Sequence, residues 1–550
     1  IYVFHLRGNQ RSSGELSRRE GGKIFGSGSR APIAITILVK NPSAERQGHI
    51  RFRDIGDYLS REDKLSIVAI YGSVSGIEAE GAWRTLEPDT HGDWLKQRNA
   101  DFDTFIALGD KSGSDSAALF ENYSRGLETN RDAWVFNFSR ESAAENIRCM
   151  IDFYNGEVDR FHAAHGLSDR KTREAAIDGF ISNDSSKISW NRSLKNELVK
   201  GTKFTFDAEC LTPSIYRPFT RNWVYYHRQL NAYVNQLPRI FPMRAKKQEN
   251  RVICVSAPGN ISNFTALMTA QIPELCLSAM KGGTQIFPRF IYDEQSDYTK
   301  DAQQGDLLSA VHPPESGRPF RDALTDAGLE YFHKHYPGES ITKDDIFYYV
   351  YGLLHSEDYR GDYSDNLSKQ LPRIPVVKTA AAFWAFVDAG RRLADLHCDY
   401  DIVEPFPVQI VQGDLRLADT SDPQRFYRVE QMRFAGKRPN LDKTTVVYNA
   451  NITLTGIPLE AYDYVVNGKS ALEWVMERQV VKTDKDSGIV NDANRYAIET
   501  VGDPAYPLKL FQRVITVSLE TMKLVRSLPP LDIMGPEAAA KDNRPLEPAQ

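Results

Sequence analysis

The side chains best suited to chemistry in this sequence are cationic and aromatic. Between Tyr216 and Arg251 stand eight basic residues, Arg217, Arg221, Arg228, Arg239, Arg244, Lys246, Lys247 and Arg251, against one acid, Glu249. Seven rings are interleaved with them: Tyr216, Phe219, Trp223, Tyr225, Tyr226, Tyr233 and Phe241. Guanidinium groups grip phosphate oxygens bidentately and fork onto a guanine edge, while flat rings pack against sugars and bases. The mixture suits a nucleic-acid surface. On that reading Arg217, Arg221, Arg228 and Arg239 contact phosphate or guanine, with Tyr225, Tyr226 and Asn231 near the grooves. The same pattern also describes an aromatic core beneath an arginine-coated strand.

A second basic segment surrounds SWNRSLKNELVKG, where Lys187, Arg192, Lys195, Lys200 and Lys203 face Glu197 alone. Arg192 and Lys195 are placed on the DNA backbone, neutralising phosphates without reading sequence; a solvated helix face is the other reading. A third lies near the start, with Arg7, Arg11, Arg18, Arg19, Lys23 and Arg30 against Glu15 and Glu20. Gln285 follows the Gly282-Gly283 turn, and its amide could read adenine. Net charge is formally -5, so any nucleic-acid contact must be concentrated rather than spread over a basic coat.

Other chemistries find less support. His162 and His165 have helical spacing but no acidic or histidine partner at a metal-ligand offset, and His333 and His335 would point apart on a helix. No metal site is expected. Neither Gly282-Gly283 nor Gly26 with Gly28 is followed by Lys-Ser or Lys-Thr, and neither makes GxGxxG after a strand, so no nucleotide-hydrolysis motif is present. The five cysteines, Cys149, Cys210, Cys254, Cys276 and Cys398, are scattered and never at CxxC spacing. That argues against a disulfide framework and fits a reducing cytoplasm.

These residues need a large scaffold, and 550 residues at 41% hydrophobic and 26% charged supply one of two to four domains. No apolar run approaches the length of a membrane helix; Ile33 to Val39 is only strand-length. The chain opens on Ile1 within a strand already under way, so a fragment is expected. Ile1 to Leu6 and Ile33 to Val39 read as an antiparallel hairpin with a long polar loop. Strands are predicted at Ile67 to Val74, Thr104 to Leu108, Phe204 to Phe206, Trp223 to Tyr226 and Val252 to Val255, with a short helix or turn at Gly92 to Asn99. Helices are predicted at Ala143 to Ala164, from Thr342 with a capping box to Asp345, at Ala380 to Leu396, Tyr462 to Val481, and Tyr506 to Leu528.

Several phrases carry a further implication: VFHLRGNQRSSGELSRREGGKIFGSGSRAPIAITILVKNP, YSRGLETNRDAW, YRPFTRNWVYYHR, ITKDDIFYYVYGLLHSEDYR, FWAFVDAGRRLADLH and NGKSALEWVMERQ. In order, from Ile1 to about Leu528, they resemble the C-terminal portion of type I single-polypeptide (type ISP) restriction-modification enzymes. The resemblance implies the end of an adenine-specific methyltransferase domain of the gamma arrangement, followed by a target recognition domain. It implies double-stranded DNA as partner, S-adenosylmethionine as cofactor of the complete enzyme, and upstream methyltransferase, helicase and nuclease domains. By position, Phe25 in KIFGSGS would stack beside an extruded adenine; a hydrophobic plug at the loop base is the other reading.

The family's [DN]PP[YF] tetrapeptide is missing, since Pro313-Pro314 and Pro529-Pro530 lack its flanking residues, and so is the glycine-rich cofactor motif. No catalytic residue and no bound cofactor are therefore assigned to this chain, and negligible methyl transfer by it alone is expected. The expected architecture is mixed α/β. Residues 1-42 would be the last strands of the methyltransferase sheet, 43-130 a connector, 131-528 the target recognition domain and 529-550 a disordered Pro-rich tail. The expected function is sequence-specific recognition of duplex DNA, positioning an adenine for methylation. Two alternatives stand beside it: a methyltransferase whose catalytic half lies upstream, and a protein-interaction scaffold without DNA binding.

Overall fold

The computed structural model describes all residues except 12–13, 27, 45–46, 112–116, 244–249, 293–319, 413–420, 438–439 and 535–550. At the N-terminal end a four-stranded sheet runs in the order Ile33–Ile37, Tyr2–Arg7, Ile50–Asp54, Arg84–Leu86. The expected hairpin is present, Tyr2 facing Ile37 and Phe4 facing Ile35 in antiparallel register. Ile50–Asp54 then joins Tyr2–Arg7 in parallel. The sheet therefore does not end at residue 42 but takes its other two strands from the expected connector. From Ile106 onward the connector feeds the main body instead: Ile106–Gly109 pairs with Ala118–Phe120 and with Arg373–Ile374.

Ile67 to Val74 is not a strand. Arg61–Tyr71 is a helix, opened by a capping box between Ser60 and Asp63 and closed by Gly72 at φ 60°. The two terminal signals override the β-branched run, as caps satisfy backbone groups that a strand would leave unpaired here.

The main body is mixed α/β. One hydrophobic core gathers the helix Arg140–His165, the strands Leu211–Ile215 and Arg221–Tyr225, and the helices Ala471–Arg478 and Tyr506–Arg526. A second gathers the helices Lys343–Leu353 and Ala380–Cys398 against a sheet ordered Ala266–Thr269, Val252–Ser256, Thr284–Pro288, Ser124–Arg125. The Thr342–Asp345 capping box forms as the sequence predicts. Phe204 to Phe206 is in no sheet. The predicted helix from Tyr462 begins only at Ala471, because Asn467 and Gly468 turn a short hairpin with φ 48° and 81°. An Asn-Gly pair at such a turn is the usual type I′ solution.

The Pro-rich tail, expected to be disordered from residue 529, lies against the body as far as it is described. Asp532 O accepts from Lys378 N at 2.8 Å and Val376 O from Met534 N at 3.0 Å. Leu531, Ile533 and Met534 pack on the second core. Residues 535–550 fall outside the described residues.

Candidate nucleic-acid interface

The structure divides the expected site residues into interior and surface. Leu211–Ile215 and Arg221–Tyr225 form an antiparallel pair, and the turn between them carries Arg217 at φ 69°. Arg217 lies over the Tyr216 ring at 4.5 Å, its Nη1 2.5 Å from the buried Glu274. Burial works against the Arg217 charge, but Glu274 outweighs it and holds the pKa above the ordinary value. Arg221 donates to Asp401 at 2.7 Å and to the Cys398 carbonyl at 2.9 Å. Arg251 pairs with Asp395 at 2.8 Å. Tyr225, Tyr226 and Asn231 are buried: the Tyr225 hydroxyl accepts from Asp207 N, and Asn231 Oδ1 accepts from His227 N.

Arg217, Arg221, Tyr225, Tyr226 and Asn231 are therefore corrected from groove contacts to interior braces. Three of the eight cations, Arg217, Arg221 and Arg251, are neutralised by Glu274, Asp401 and Asp395, acids at least 57 residues away from Arg217 in sequence. A buried guanidinium tolerates removal from water only with such partners. Arg244, Lys246 and Lys247 lie outside the described residues. In the N-terminal segment Arg7 is likewise spent on Asp54 and Asp57, and Arg19 on Asp57.

The other expected residues reach the surface. Arg228 and Arg192 are exposed with no ion pair among the described residues. Lys195 is half-buried and tied to Asp178 at 2.7 Å. Arg239 is half-buried on the short helix Leu237–Ile240. Phe25 is 55% exposed beside the buried Ile24, so it is a presented ring and not a plug. Two exposed arginines absent from the sequence reading lie on aromatic faces: Arg140 over Trp223 at 5.5 Å and Arg148 over Phe206 at 4.1 Å. Such cation–ring stacks hold a guanidinium in a fixed plane, and Arg140 gives one of its donors to the Ala208 carbonyl at 3.3 Å.

Gln285 is half-buried on Thr284–Pro288, directly opposite Arg125 on the edge strand. Beside them Tyr123 stacks on Phe287 at 5.0 Å, with the Lys111 ammonium 4.0 Å from the Tyr123 ring. Sequence reasoning missed Arg125 and Tyr123 as site residues although both stand in YSRGLETNRDAW. What brings them to Gln285 is a strand pairing across about 160 residues, which local charge counting does not see.

Two concavities are unsuited to the same partner. A cavity of about 550 Å³ is lined by Glu128, Asp132, Glu274, Asp484 and Asp486 together with Arg131, a wall that would repel phosphate. A notch of about 150 Å³ at the N-terminal sheet is lined by Tyr2, Phe4, Ile35, Ile37, Tyr71 and Trp83 among others. Its lining carries no charged side chain, so it offers no carboxylate for ribose hydroxyls or a methionine ammonium and no cation for a methionine carboxylate, and these residues do not fit S-adenosylmethionine. Among the described residues no group of three His, Cys, Asp or Glu could hold a metal ion. None of the described helices is long and apolar enough to cross a membrane.

Residues 118–510 match the family model of the type ISP C-terminal specificity domain. This chain belongs to that family. No curated protein matches it, but solved structures do. A nuclease-deletion mutant of LlaGI in complex with a DNA substrate mimic is 36% identical, with a TM-score of 0.79 over 97% of this chain. LlaBIII, an ATP-dependent type ISP enzyme bound to DNA, is 31% identical with a TM-score of 0.78 over 97%. A DrdV–DNA complex is 27% identical with a TM-score of 0.76, again over 97%. The specificity-domain chain spans 44%, 31% and 48% of those three chains. The type ISP likeness thus extends upstream of residue 118 to the N-terminal sheet.

Proposed function

We propose that this chain recognises a specific sequence in double-stranded DNA, as the specificity region of a type ISP restriction-modification enzyme. The observation that carries this reading is the 36% identity and shared fold with LlaGI, solved on a DNA substrate mimic. The surface offers suitable chemistry: Arg192, Arg228, Arg140 and Arg148 are exposed, and none has a carboxylate partner among the described residues. These guanidinium groups position the duplex through phosphates, and residues at sheet edges read bases. Phe25, a presented ring on the loop between the first two strands, stands ready to stack beside an extruded adenine when the methyltransferase portion of a complete enzyme acts on it. The N-terminal sheet would adjoin that portion, with helicase and nuclease domains further upstream. None of the five cysteines is in a disulfide, consistent with a cytoplasmic setting.

The test is duplex binding by the 550-residue chain at two salt concentrations. Several phosphate contacts release several counterions, so affinity should fall steeply, by roughly 10³-fold or more between 50 and 200 mM salt for six or more contacts. A flat response would remove this reading and favour an interaction scaffold.

A further inference from the structure

We infer that Arg125 and Gln285 form a two-residue base reader for neighbouring purines, Arg125 taking guanine and Gln285 adenine. This rests on the recognition function proposed above and names the chemistry that would give it specificity. The two residues face each other across the antiparallel pairing of Ser124–Arg125 with Thr284–Pro288. Directly opposite residues in such a pair project to the same face with Cβ atoms about 5 Å apart. The same row continues inward through Val255 and Ala266, both buried. Of these four residues only the two polar ones reach solvent.

Both heads have donors to spare. The Gln285 amide makes no hydrogen bond among the described residues. Arg125, 42% exposed, holds Glu128 only loosely at 3.7 Å and donates from Nη2 to the Gly282 carbonyl at 3.3 Å. A guanidinium carries five N–H donors, so those contacts orient the fork without consuming it. The Gly-Gly turn makes room for it. Gly283 sits at φ +82°, and a Cβ there would lie 2.6 Å from Leu275 Cδ1 and 3.2 Å from Arg125 Nη2. Tyr123, two residues before Arg125, stands on the same face with the Lys111 ammonium over its ring. That places a cation beside the readers for a phosphate contact.

The pairing matches the donor and acceptor code of the major groove. Arginine bonds guanine O6 and N7 bidentately, and glutamine bonds adenine N7 and N6. Strands separated by about 4.8 Å span one to two steps of a base stack rising about 3.4 Å. The two side chains therefore fall on neighbouring base pairs.

The test is selection from a random duplex pool by the full 550-residue chain, compared with Gln285→Ala and Arg125→Lys, each confirmed folded by circular dichroism. Wild type should enrich a motif containing adjacent adenine and guanine. Gln285→Ala should make the adenine position degenerate, and Arg125→Lys, which keeps the charge but loses the fork, the guanine position. Each loss should be about tenfold in discrimination. Variants that select the unaltered motif, or lose affinity equally for all sequences, would overturn the reader pair while leaving DNA recognition intact. A wild-type chain that enriches nothing overturns both.

Discussion

Two arginines of one segment illustrate how far a side chain's role depends on partners remote in sequence. Arg217 closes on Glu274 and Arg228 closes on nothing described, although both stand in the same basic and aromatic stretch. Replacing Arg217 with alanine leaves Glu274 buried and uncompensated, and should cost about 3 to 5 kcal/mol of stability. Urea unfolding measures this, and Arg217→Met with Glu274→Met should restore most of the loss. Arg228→Ala should stay within about 0.5 kcal/mol of wild type yet weaken duplex binding. The opposite assignment of effects would show that the interior and surface roles are exchanged. The sequence allowed both readings of this stretch, a groove surface and an arginine-braced core. Only the position of the distant acids separates them, and no local spacing encodes that.

At the scale of elements, the pair of helices Lys343–Leu353 and Ala380–Cys398 meets through Gly352 and Gly390. A Cβ on Gly352 would lie 2.2 Å from the Phe386 carbonyl oxygen, and one on Gly390 2.0 Å from that of Tyr348. Alanine at either position must push the helix backbones apart, with a loss of about 1 to 3 kcal/mol visible as a lower thermal midpoint. Alanine at the exposed Gly361, where a Cβ meets nothing within 4 Å, should be harmless by comparison.

Between these two helices His397 accepts from the Tyr351 hydroxyl at 2.5 Å and lies 3.0 Å from Thr521 Oγ1, while His355 Nδ1 donates to the Tyr351 carbonyl. Burial, with help from Arg360, pushes His397 down to about 3 and His355 well below its ordinary value. The unfolded chain therefore binds these protons first. Stability contributed by the neutral His397 ring is complete above about pH 6.5 and drains as pH falls toward 3, by ~1.4 kcal/mol per pH unit, and His355 acts in the same direction. His397→Gln should flatten the slope of stability between pH 6.5 and 5. An unchanged slope would place the titration elsewhere. Most helices were legible because amphipathic spacing and caps are local. The sequence reads as a strand at Ile67 to Val74, where the structure has the helix Arg61–Tyr71, because Ile67, Val68 and Ile70 mask the Ser60 and Gly72 caps. The late start at Ala471 was missed although Asn467-Gly468 announces a hairpin and Ser470 with Glu473 a capping box.

For the whole molecule, long phrases carried more information than composition. The family was legible from Ile1 to about Leu528 because six phrases kept their order, and each constrains packing over several elements at once. The extents of the sheets were not legible, since Ile50–Asp54 joins the first sheet and Ser124–Arg125 another through pairings set by tertiary contact. The molecule that results hides much of its apparent basic stretch and presents a smaller set of cations from separate elements. On the proposed function, Arg192, Arg228 and the stacked Arg140 and Arg148 supply phosphate contacts. Replacing those four with alanine should shallow the salt dependence of duplex binding by about one unit of slope per lost phosphate contact. An unaltered slope would send the search for the DNA face elsewhere on the surface.

Sequence-specific duplex recognition is tested by competition at one fixed salt concentration. A duplex recovered by selection is set against a scrambled duplex of equal length and composition. Discrimination of about 10³-fold or more is predicted. Equal affinity for the two duplexes would contradict the account.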